Sequence, residues 1–335
     1  MPFVSQAALG LEIGPSFMPT FPKREGWNTL VVDHASKEEL QREFGSDPSA
    51  DQDGVLAMED VDIVMSGGRG LVEALAGAGP FHHVVACHVI EHVPDLVEFL
   101  REVSTVLVES GVLLLAVPTR ELSFDFYRPL SSPGDVVVAH LAPEATAVGA
   151  MIDDRVLRAE LDDAAAWLPW QLEVNLRDGH LPDLLSLEDA FLAEVRKESA
   201  SILSVAAAWT GHRWVFEPAS FRHLVAFASA MFGIPLAVEQ LEPGMGSEFL
   251  VVIRKCSQEA PREPQERDLL MLQTYASRQA VVDEEANGVR HNDIMAAQLT
   301  HYRNLAERLQ VRYDDLRRNP AIRVVAGLLR RSGLL

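Results

Sequence analysis

The sequence predicts a doubly wound α/β sheet with a helical insertion and a helical C-terminal extension. Short apolar runs alternate with helical patterns over residues 1–120, two early runs carry a carboxylate at their end, and strand-like runs return before residue 256. Alternating strands and helices are typical of βαβ units and therefore of a parallel sheet. At 335 residues, the chain is long for one domain and short for three.

The first five strands and three helices follow from this alternation. Strands are predicted at Leu9–Ile13, Thr29–Val32, Val61–Met65, His82–Cys87 and Val112–Val117. Helices are predicted between them at Lys37–Phe44, Gly70–Ala76 and Leu96–Val108. Gly111 is expected to end the last helix, because glycine tolerates a left-handed cap.

The pattern changes after the fifth predicted strand. Residues 120–210 are acidic and helical in pattern, and they are predicted to form an insertion over the carboxyl edge of the sheet. A helix around Ala219–Phe232 precedes two further strands, Leu236–Leu241 and Phe249–Ile253. The first domain is therefore predicted to span residues 1–256.

A linker and a helical extension are predicted for residues 257–335. Apolar residues from Met295 to Leu316 recur at spacings of three and four, which predicts a coiled coil in a homodimer or a helix docked on the domain. The segment Ile322–Leu335 has three arginines and no acids, so it predicts only weak contact with an anionic membrane surface.

Composition excludes several classes of protein. A hydrophobic content of 48% supplies a sizeable core, and a net charge of -20 argues against non-specific nucleic-acid binding. Cys87 and Cys256 lie in apolar runs, so a disulfide framework is not expected. No signal peptide pattern and no apolar stretch of about 18 residues is found, so we expect a cytoplasmic protein.

The first candidate site combines a glycine loop with two carboxylates. The apolar run Ala7–Ile13 carries Glu12 and opens onto Gly14, and the next run ends in Asp33. A glycine loop lets a ligand approach the backbone, and a carboxylate about twenty residues later can accept ribose hydroxyls. These residues alone fit either a nucleotide-like cofactor or an ordinary α/β turn.

The second candidate site follows the fourth strand. His88, Glu91 and His92 match the H-x-x-E-H pattern of a class of zinc peptidases. That pattern needs both histidines on one helix, whereas His88 follows a buried strand and Pro94 marks a helix start after His92. We therefore predict no metal site and favour His88, at the strand tip, as the functional residue. His92 is expected to hydrogen-bond backbone in the turn.

The third candidate site follows the fifth strand. Asp125 and Arg128 predict either an i,i+3 ion pair on a surface turn or a pair at the mouth of the pocket that orients a polar acceptor. His140 and His212 carry the same ambiguity, and both are candidate bases beside His88 and Asp125.

Taken together, these motifs resemble class I S-adenosylmethionine-dependent methyltransferases. The matching segments are Leu-Glu-Ile-Gly-Pro (11–15), Val-Val-Asp-His (31–34), Cys-His-Val-Ile-Glu-His-Val-Pro-Asp (87–95) and Phe-Asp-Phe-Tyr-Arg (124–128). The resemblance covers residues 7–255 and implies a Rossmann-like sheet with S-adenosylmethionine as the cofactor. One departure is that the usual G-x-G-x-G becomes Gly14-x-Ser16-x-Met18.

The resemblance also implies roles for individual residues. Glu12 would lie near the amino-acid end of the cofactor, Asp33 would accept the ribose hydroxyls, and His88 would lie beside the sulfonium. The residues implied to bind the cofactor are Glu12, Gly14, Pro15, Ser16, Asp33, His34, Met65, Ser66 and His88. The catalytic residues predicted on this basis are His88, Asp125 and Arg128.

The function predicted from these residues is methyl transfer to an oxygen of a polar small molecule or a glycan. Alignment of donor and acceptor supplies most of such a reaction, and a hydroxyl acceptor also benefits from a base. A non-catalytic interaction module that keeps the fold is the alternative. A zinc hydrolase using His88, Glu91 and His92 is a more distant one.

Overall fold

The computed structural model describes residues 3–46, 51–65, 69–159, 206, 209–243 and 247–256. Several predicted features lie outside these ranges: Ser66, most of the second half of the insertion, the linker, the apolar stripe and the basic segment. The boundary between domain and extension at residues 256–257 therefore stays a prediction.

A seven-stranded sheet organises the described residues, in the order β3-β2-β1-β4-β5-β7-β6. The strands are β1 Gly10–Ile13, β2 Thr29–Asp33, β3 Ile63–Val64, β4 Phe81–Cys87, β5 Leu107–Pro118, β6 Leu236–Pro243 and β7 Glu248–Lys255. β1 to β5 run parallel, and β7 is antiparallel to both β5 and β6. The strand order reverses between β1 and β4, which is where ligands bind in open α/β sheets. The predicted doubly wound α/β fold is confirmed.

Seven α-helices connect or follow these strands in the described ranges. They are α1 Lys37–Phe44, α2 Gln52–Leu56, α3 Leu71–Leu75, α4 Leu96–Val106, α5 Pro133–Leu141, α6 Pro143–Leu157 and α7 Pro218–Phe232. Short 3-10 helices lie at Lys23–Glu25 and Arg120–Leu122. The helix starts have clear local causes, as at α1, where Ser36 and Glu39 form a reciprocal capping box.

The expectation that Gly111 ends a helix is wrong. Helix α4 ends at Val106, and the chain is already part of β5 at Leu107. The register against β4 shifts between Phe81 and His83, so β5 bulges here. A Cβ on Gly111 would lie 3.2 Å from the carbonyl oxygen of His82, so the glycine permits close approach of two backbones.

The insertion begins as predicted, with helices. The chain before α5 is tied to the segment that precedes α7, because the Arg120 amide donates to the Phe216 carbonyl at 2.8 Å and the Ser131 amide donates to the Val215 carbonyl at 3.0 Å. Val136 of α5 is buried in the main core beside the sheet. α5 is thus part of the domain core rather than a separate cap.

The main core lies between the sheet and α3, α4, α5 and α7. Its largest fully buried side chains include Trp214, Phe81, Phe216, Phe221 and Phe249. Among the described helices, none combines the length and the apolar character that a bilayer span requires.

Candidate active site

The loop after β1 is folded back on itself by Glu12. The Glu12 carboxylate accepts the backbone amides of Thr20 at 2.5 Å and Phe21 at 3.3 Å. Burial raises the pKa of Glu12, and the two amide bonds only partly oppose that effect. Glu12 therefore shapes the loop, with its side chain turned toward backbone amides.

Gly14 lies at the end of β1 in the left-handed region, with φ +62. A Cβ at Gly14 would lie 3.0 Å from the Val89 side chain, in the turn that follows β4. The Gly14 amide also donates to the Val32 carbonyl of β2 at 2.8 Å. The glycine loop and the turn after β4 are thus in direct contact, which joins the first two sequence-predicted sites.

Asp33 at the end of β2 is buried and already accepts hydrogen bonds. One oxygen accepts the Ser16 amide at 3.2 Å, and the other accepts the His34 amide and Nδ1, each at 2.7 Å. The hydrogen bond to Asp33 raises the pKa of His34. A carboxylate offers about four acceptor positions, so one remains for a ligand hydroxyl.

Ser16 occupies the position of the second glycine of the family pattern. Its φ is +50, so a serine holds a left-handed conformation that favours glycine. Met65, predicted to border the adenine, donates its amide to the Asp33 carbonyl at 2.7 Å. Ser16, His34 and Met65 therefore contact Asp33, whereas the Pro15 carbonyl accepts the Met18 amide at 2.9 Å within the loop, and Ser66 lies outside the described residues.

His88 follows β4 with φ +53 and is held by two carboxylates. Its Nε2 lies 2.8 Å from Glu248 of β7, and its Nδ1 lies 3.4 Å from Glu91. The neighbouring carboxylates of Glu248 and Glu91 raise the pKa of His88 to about 10. A histidine that is protonated at neutral pH cannot accept a proton, so this geometry disfavours the predicted role of His88 as a base.

Asp125 and Arg128 form the predicted i,i+3 ion pair, at 2.6 Å. The side chains of both are 3% exposed, so the pair is buried rather than on a surface turn. Asp125 also accepts from Nδ1 of His212 at 2.5 Å. Burial opposes ionisation of Asp125, but His212 and Arg128 outweigh it and lower its pKa. Asp125 therefore links Arg128 to His212 in one buried network, and the predicted catalytic role of Asp125 and Arg128 stays a prediction.

His212 in turn lies against the turn after β4. Its ring centroid is 4.9 Å from that of His92, and ligand atoms of Glu91, His92 and His212 all lie within 4.8 Å of one another. The turn at residues 88–93 is not helical, so the zinc-peptidase pattern is not met. His92 does contact backbone, but outside the turn where this was predicted: its Nδ1 lies 3.3 Å from the carbonyl of Gly211, in the segment before α7.

His140 lies elsewhere in the fold. Its Nδ1 is 2.7 Å from Asp95, which caps the N-terminus of α4, and its ring packs on Phe232 of α7. These contacts assign His140 a structural role. Sequence reasoning missed Glu248, the partner of His88, because nothing local marks a strand glutamate 160 residues away.

No protein-family model matches the chain, and no curated protein matches it. Solved structures to which it is similar include several S-adenosylmethionine-dependent methyltransferases. One from Mesorhizobium loti shares 11% identity at a TM-score of 0.36, with 76% of this chain and 94% of that chain covered. One from Clostridium acetobutylicum shares 10% identity at a TM-score of 0.34, with 74% of this chain and 84% of that chain covered.

A third similar structure is the trans-methyltransferase CalH in complex with SAH, at 17% identity and a TM-score of 0.33. The similarity covers 74% of this chain but only 51% of CalH, so the chain spans about half the length of CalH. At these identities and TM-scores, the similarity by itself assigns no activity to this chain.

Proposed function

We propose that this protein is an S-adenosylmethionine-dependent methyltransferase that acts on an oxygen of a polar small molecule or a glycan. The observation that carries the proposal is the joined site at the β1–β4 reversal. Gly14 lies there against Val89 of the turn after β4, and its amide donates to Val32 of β2, the strand that ends in Asp33. This is the position where open α/β sheets bind nucleotide-like ligands.

The residues present fit the cofactor in two respects. A Cβ at Gly14 would crowd Val89, so a glycine keeps the backbone accessible. Asp33 retains one acceptor position, and Glu12 holds the loop beside it through two backbone amides. When bound, S-adenosylmethionine supplies an electrophilic methyl group on a sulfonium.

The chain's own contribution is alignment and handling of a proton. The acceptor oxygen forms a bond to the methyl carbon as the sulfur–carbon bond breaks, and the hydroxyl proton must leave. Glu91, His92 and His212 bring a carboxylate and two imidazoles within 4.8 Å of one another beside the turn after β4, and they are the candidate groups to receive that proton. Good positioning is worth about 7–11 kcal/mol, so most of the rate would come from alignment.

Calorimetry with S-adenosylmethionine tests the cofactor site. Asp33→Ala removes a charge-assisted acceptor, worth about 1.5–3 kcal/mol, so binding should weaken roughly 10–100-fold. Asp62→Ala is the matched control, because Asp62 also accepts a backbone amide, that of Val31 in β2, but lies just before the start of β3, at the amino end of that strand. Absence of binding to the wild type would refute the proposal.

A cofactor analogue without the ribose hydroxyls separates direct contact from loop damage. The wild type should bind the analogue roughly 10–100-fold more weakly than S-adenosylmethionine. Asp33→Ala should bind the two ligands about equally. Equal discrimination by both proteins would show that Asp33 acts on the loop and not on the ribose.

A non-catalytic module with the same fold is the second candidate. It is favoured by the Ser16 amide on Asp33 and by the Ser16 hydroxyl, which is buried without a hydrogen-bond partner among the described residues. Mass spectrometry of the purified protein discriminates between the two, because a co-purified cofactor would refute this candidate.

A further inference from the structure

Glu91, His92 and His212 bring three metal-ligating groups together from distant parts of the chain. Their ligand atoms lie within 4.8 Å of one another, and among the described residues no other such group of three occurs. Glu91 and His92 lie in the turn after β4, and His212 lies in the segment before α7. Two distant parts of the chain thus place their metal-ligating groups side by side.

Both histidines have Nδ1 committed to an acceptor. Nδ1 of His212 lies 2.5 Å from Asp125, and Nδ1 of His92 lies 3.3 Å from the Gly211 carbonyl. An acceptor at Nδ1 fixes the tautomer in which Nδ1 carries the proton. Nε2 of each ring therefore presents a lone pair. Metal-ligating histidines almost always have this second-shell arrangement, with a carboxylate or a carbonyl on the other nitrogen.

Glu91 supplies the independent observation. Its side chain is fully buried, and neither oxygen has a hydrogen-bond partner among the described residues. The contact from His88 at 3.4 Å is a long ion pair, and Nε2 of His92 lies 3.8 Å away. A buried carboxylate without hydrogen bonds is costly, and ion coordination is one of the ways that proteins satisfy such a group.

We propose that Glu91, His92 and His212 bind one divalent transition-metal ion of the zinc type. Two imidazoles and one carboxylate with open positions are typical of catalytic zinc and non-haem iron sites. Metal–ligand bonds of about 2.0–2.2 Å would bring the ligand atoms to about 3–4 Å from each other, a modest contraction. Asp125 then acts as a positioning residue that orients His212.

If the acceptor hydroxyl took one of the open coordination positions, the ion would lower its pKa, and the proton would leave to solvent and not to one of the three ligands. This role rests on the proposed methyl transfer, whereas metal binding itself does not. A failure of metal binding and a failure of cofactor binding would be seen in separate titrations.

Metal binding is measured on the full-length protein after treatment with a chelator. Titration with Zn²⁺ should give one site per chain in calorimetry, and saturating Zn²⁺ should raise the melting temperature. Co²⁺ should give visible absorption bands of a nitrogen- and oxygen-ligated ion, which Zn²⁺ then removes. Absence of saturable Zn²⁺ binding at one equivalent would overturn the proposal.

Two variants locate the site, and a third is the control. Glu91→Gln and His212→Gln should each weaken Zn²⁺ binding by at least about 100-fold, more than is typical of second-shell changes. His140→Gln should leave it unchanged, since His140 also pairs with an aspartate but lacks the other ligands.

Glu91→Gln keeps the shape of the side chain, and His88 keeps its shorter contact with Glu248 at 2.8 Å, so the metal-free variant is expected to fold. The melting temperatures of the metal-free variant and the metal-free wild type check this. Unchanged Zn²⁺ affinity in Glu91→Gln, or equal loss in His140→Gln, would place the ion elsewhere and refute the site.

Discussion

The buried ion pair between Asp125 and Arg128 makes the change Asp125→Asn a severe perturbation. Both side chains are 3% exposed, and the carboxylate also accepts from His212. The amide keeps the shape of Asp125 but removes its charge. Arg128 then keeps a buried positive charge without its ion-pair partner at 2.6 Å.

The expected loss of stability follows from this burial. Removing one partner of a buried ion pair costs about 3–5 kcal/mol, because the other charge stays desolvated. For a domain of this size, each kcal/mol shifts the melting temperature by about 2–4 °C, so a drop of about 6–20 °C is expected. Exchanging both residues for neutral ones, Asp125→Asn with Arg128→Met, should recover much of the loss.

Urea unfolding of the four proteins of this double-mutant cycle measures the coupling between the two residues. Glu98→Gln is the matched control, because Glu98 and Arg101 form an i,i+3 pair with side chains 48% and 39% exposed. That control should change stability by less than about 1 kcal/mol. An equally small loss for Asp125→Asn would refute the buried, coupled network.

Three further predictions concern the loop after β1 and two histidines. Gly14→Ala should cost about 1–2 kcal/mol in left-handed strain and more through its contact with a valine, whereas Gly233→Ala, at φ +66 with open space around it, should cost the strain alone. His83 is buried and its pKa is lowered by desolvation, so stability is lost as pH falls below about 6.5, and His83→Phe should lessen that loss. For His34 the pH dependence of stability has the opposite sign, because the hydrogen bond to Asp33 raises its pKa in the folded protein. The stabilisation from His34 is present below about pH 6.5 and is lost as pH rises through the folded pKa. His34→Ala should therefore be destabilising at about pH 5.5 and less so at about pH 8.5.

Urea unfolding at several pH values checks all three. If Gly14→Ala and Gly233→Ala lowered the free energy of unfolding equally, the contact between Gly14 and the Val89 side chain would not be tight. A pH dependence of the difference between variant and wild type that has the reverse sign at His83 or His34 would contradict the assigned burial or pairing.

The sequence predicts the sheet well because each strand carries its own local signal. Helix α1 has the predicted bounds, Lys37–Phe44, since the cap at Ser36 and the capping-box glutamate are adjacent in sequence. Gly111 was misassigned because a glycine after a helical pattern fits a cap as well as a bulge. Only the pairing of β4 with β5 decides between them, and that pairing is not local.

The site is predicted less completely, for the same reason. Motif residues such as Gly14, Asp33 and His88 lie at strand ends, where the fold itself brings them together. The link between Asp125 and His212 spans 87 residues, and no spacing rule reports it. The zinc-peptidase pattern of His88, Glu91 and His92 is not met, because its histidines would need a helix that the turn does not form.

The loop after β1 lacks two glycines of the G-x-G-x-G pattern in sequence, but its backbone at Ser16 still adopts the left-handed conformation that glycine favours. Ser16 adopts φ +50, so a side chain occupies a left-handed position at a cost of about 1–2 kcal/mol. Hydrogen bonds offset that cost, from the Ser16 amide to Asp33 and from the Thr20 amide to Glu12. Because the loop is held by the same two carboxylates that mark the proposed cofactor site, loss of a glycine does not by itself indicate loss of the cofactor. The measurement that discriminates is therefore the preference for ribose hydroxyls that we propose for Asp33, and not the number of glycines.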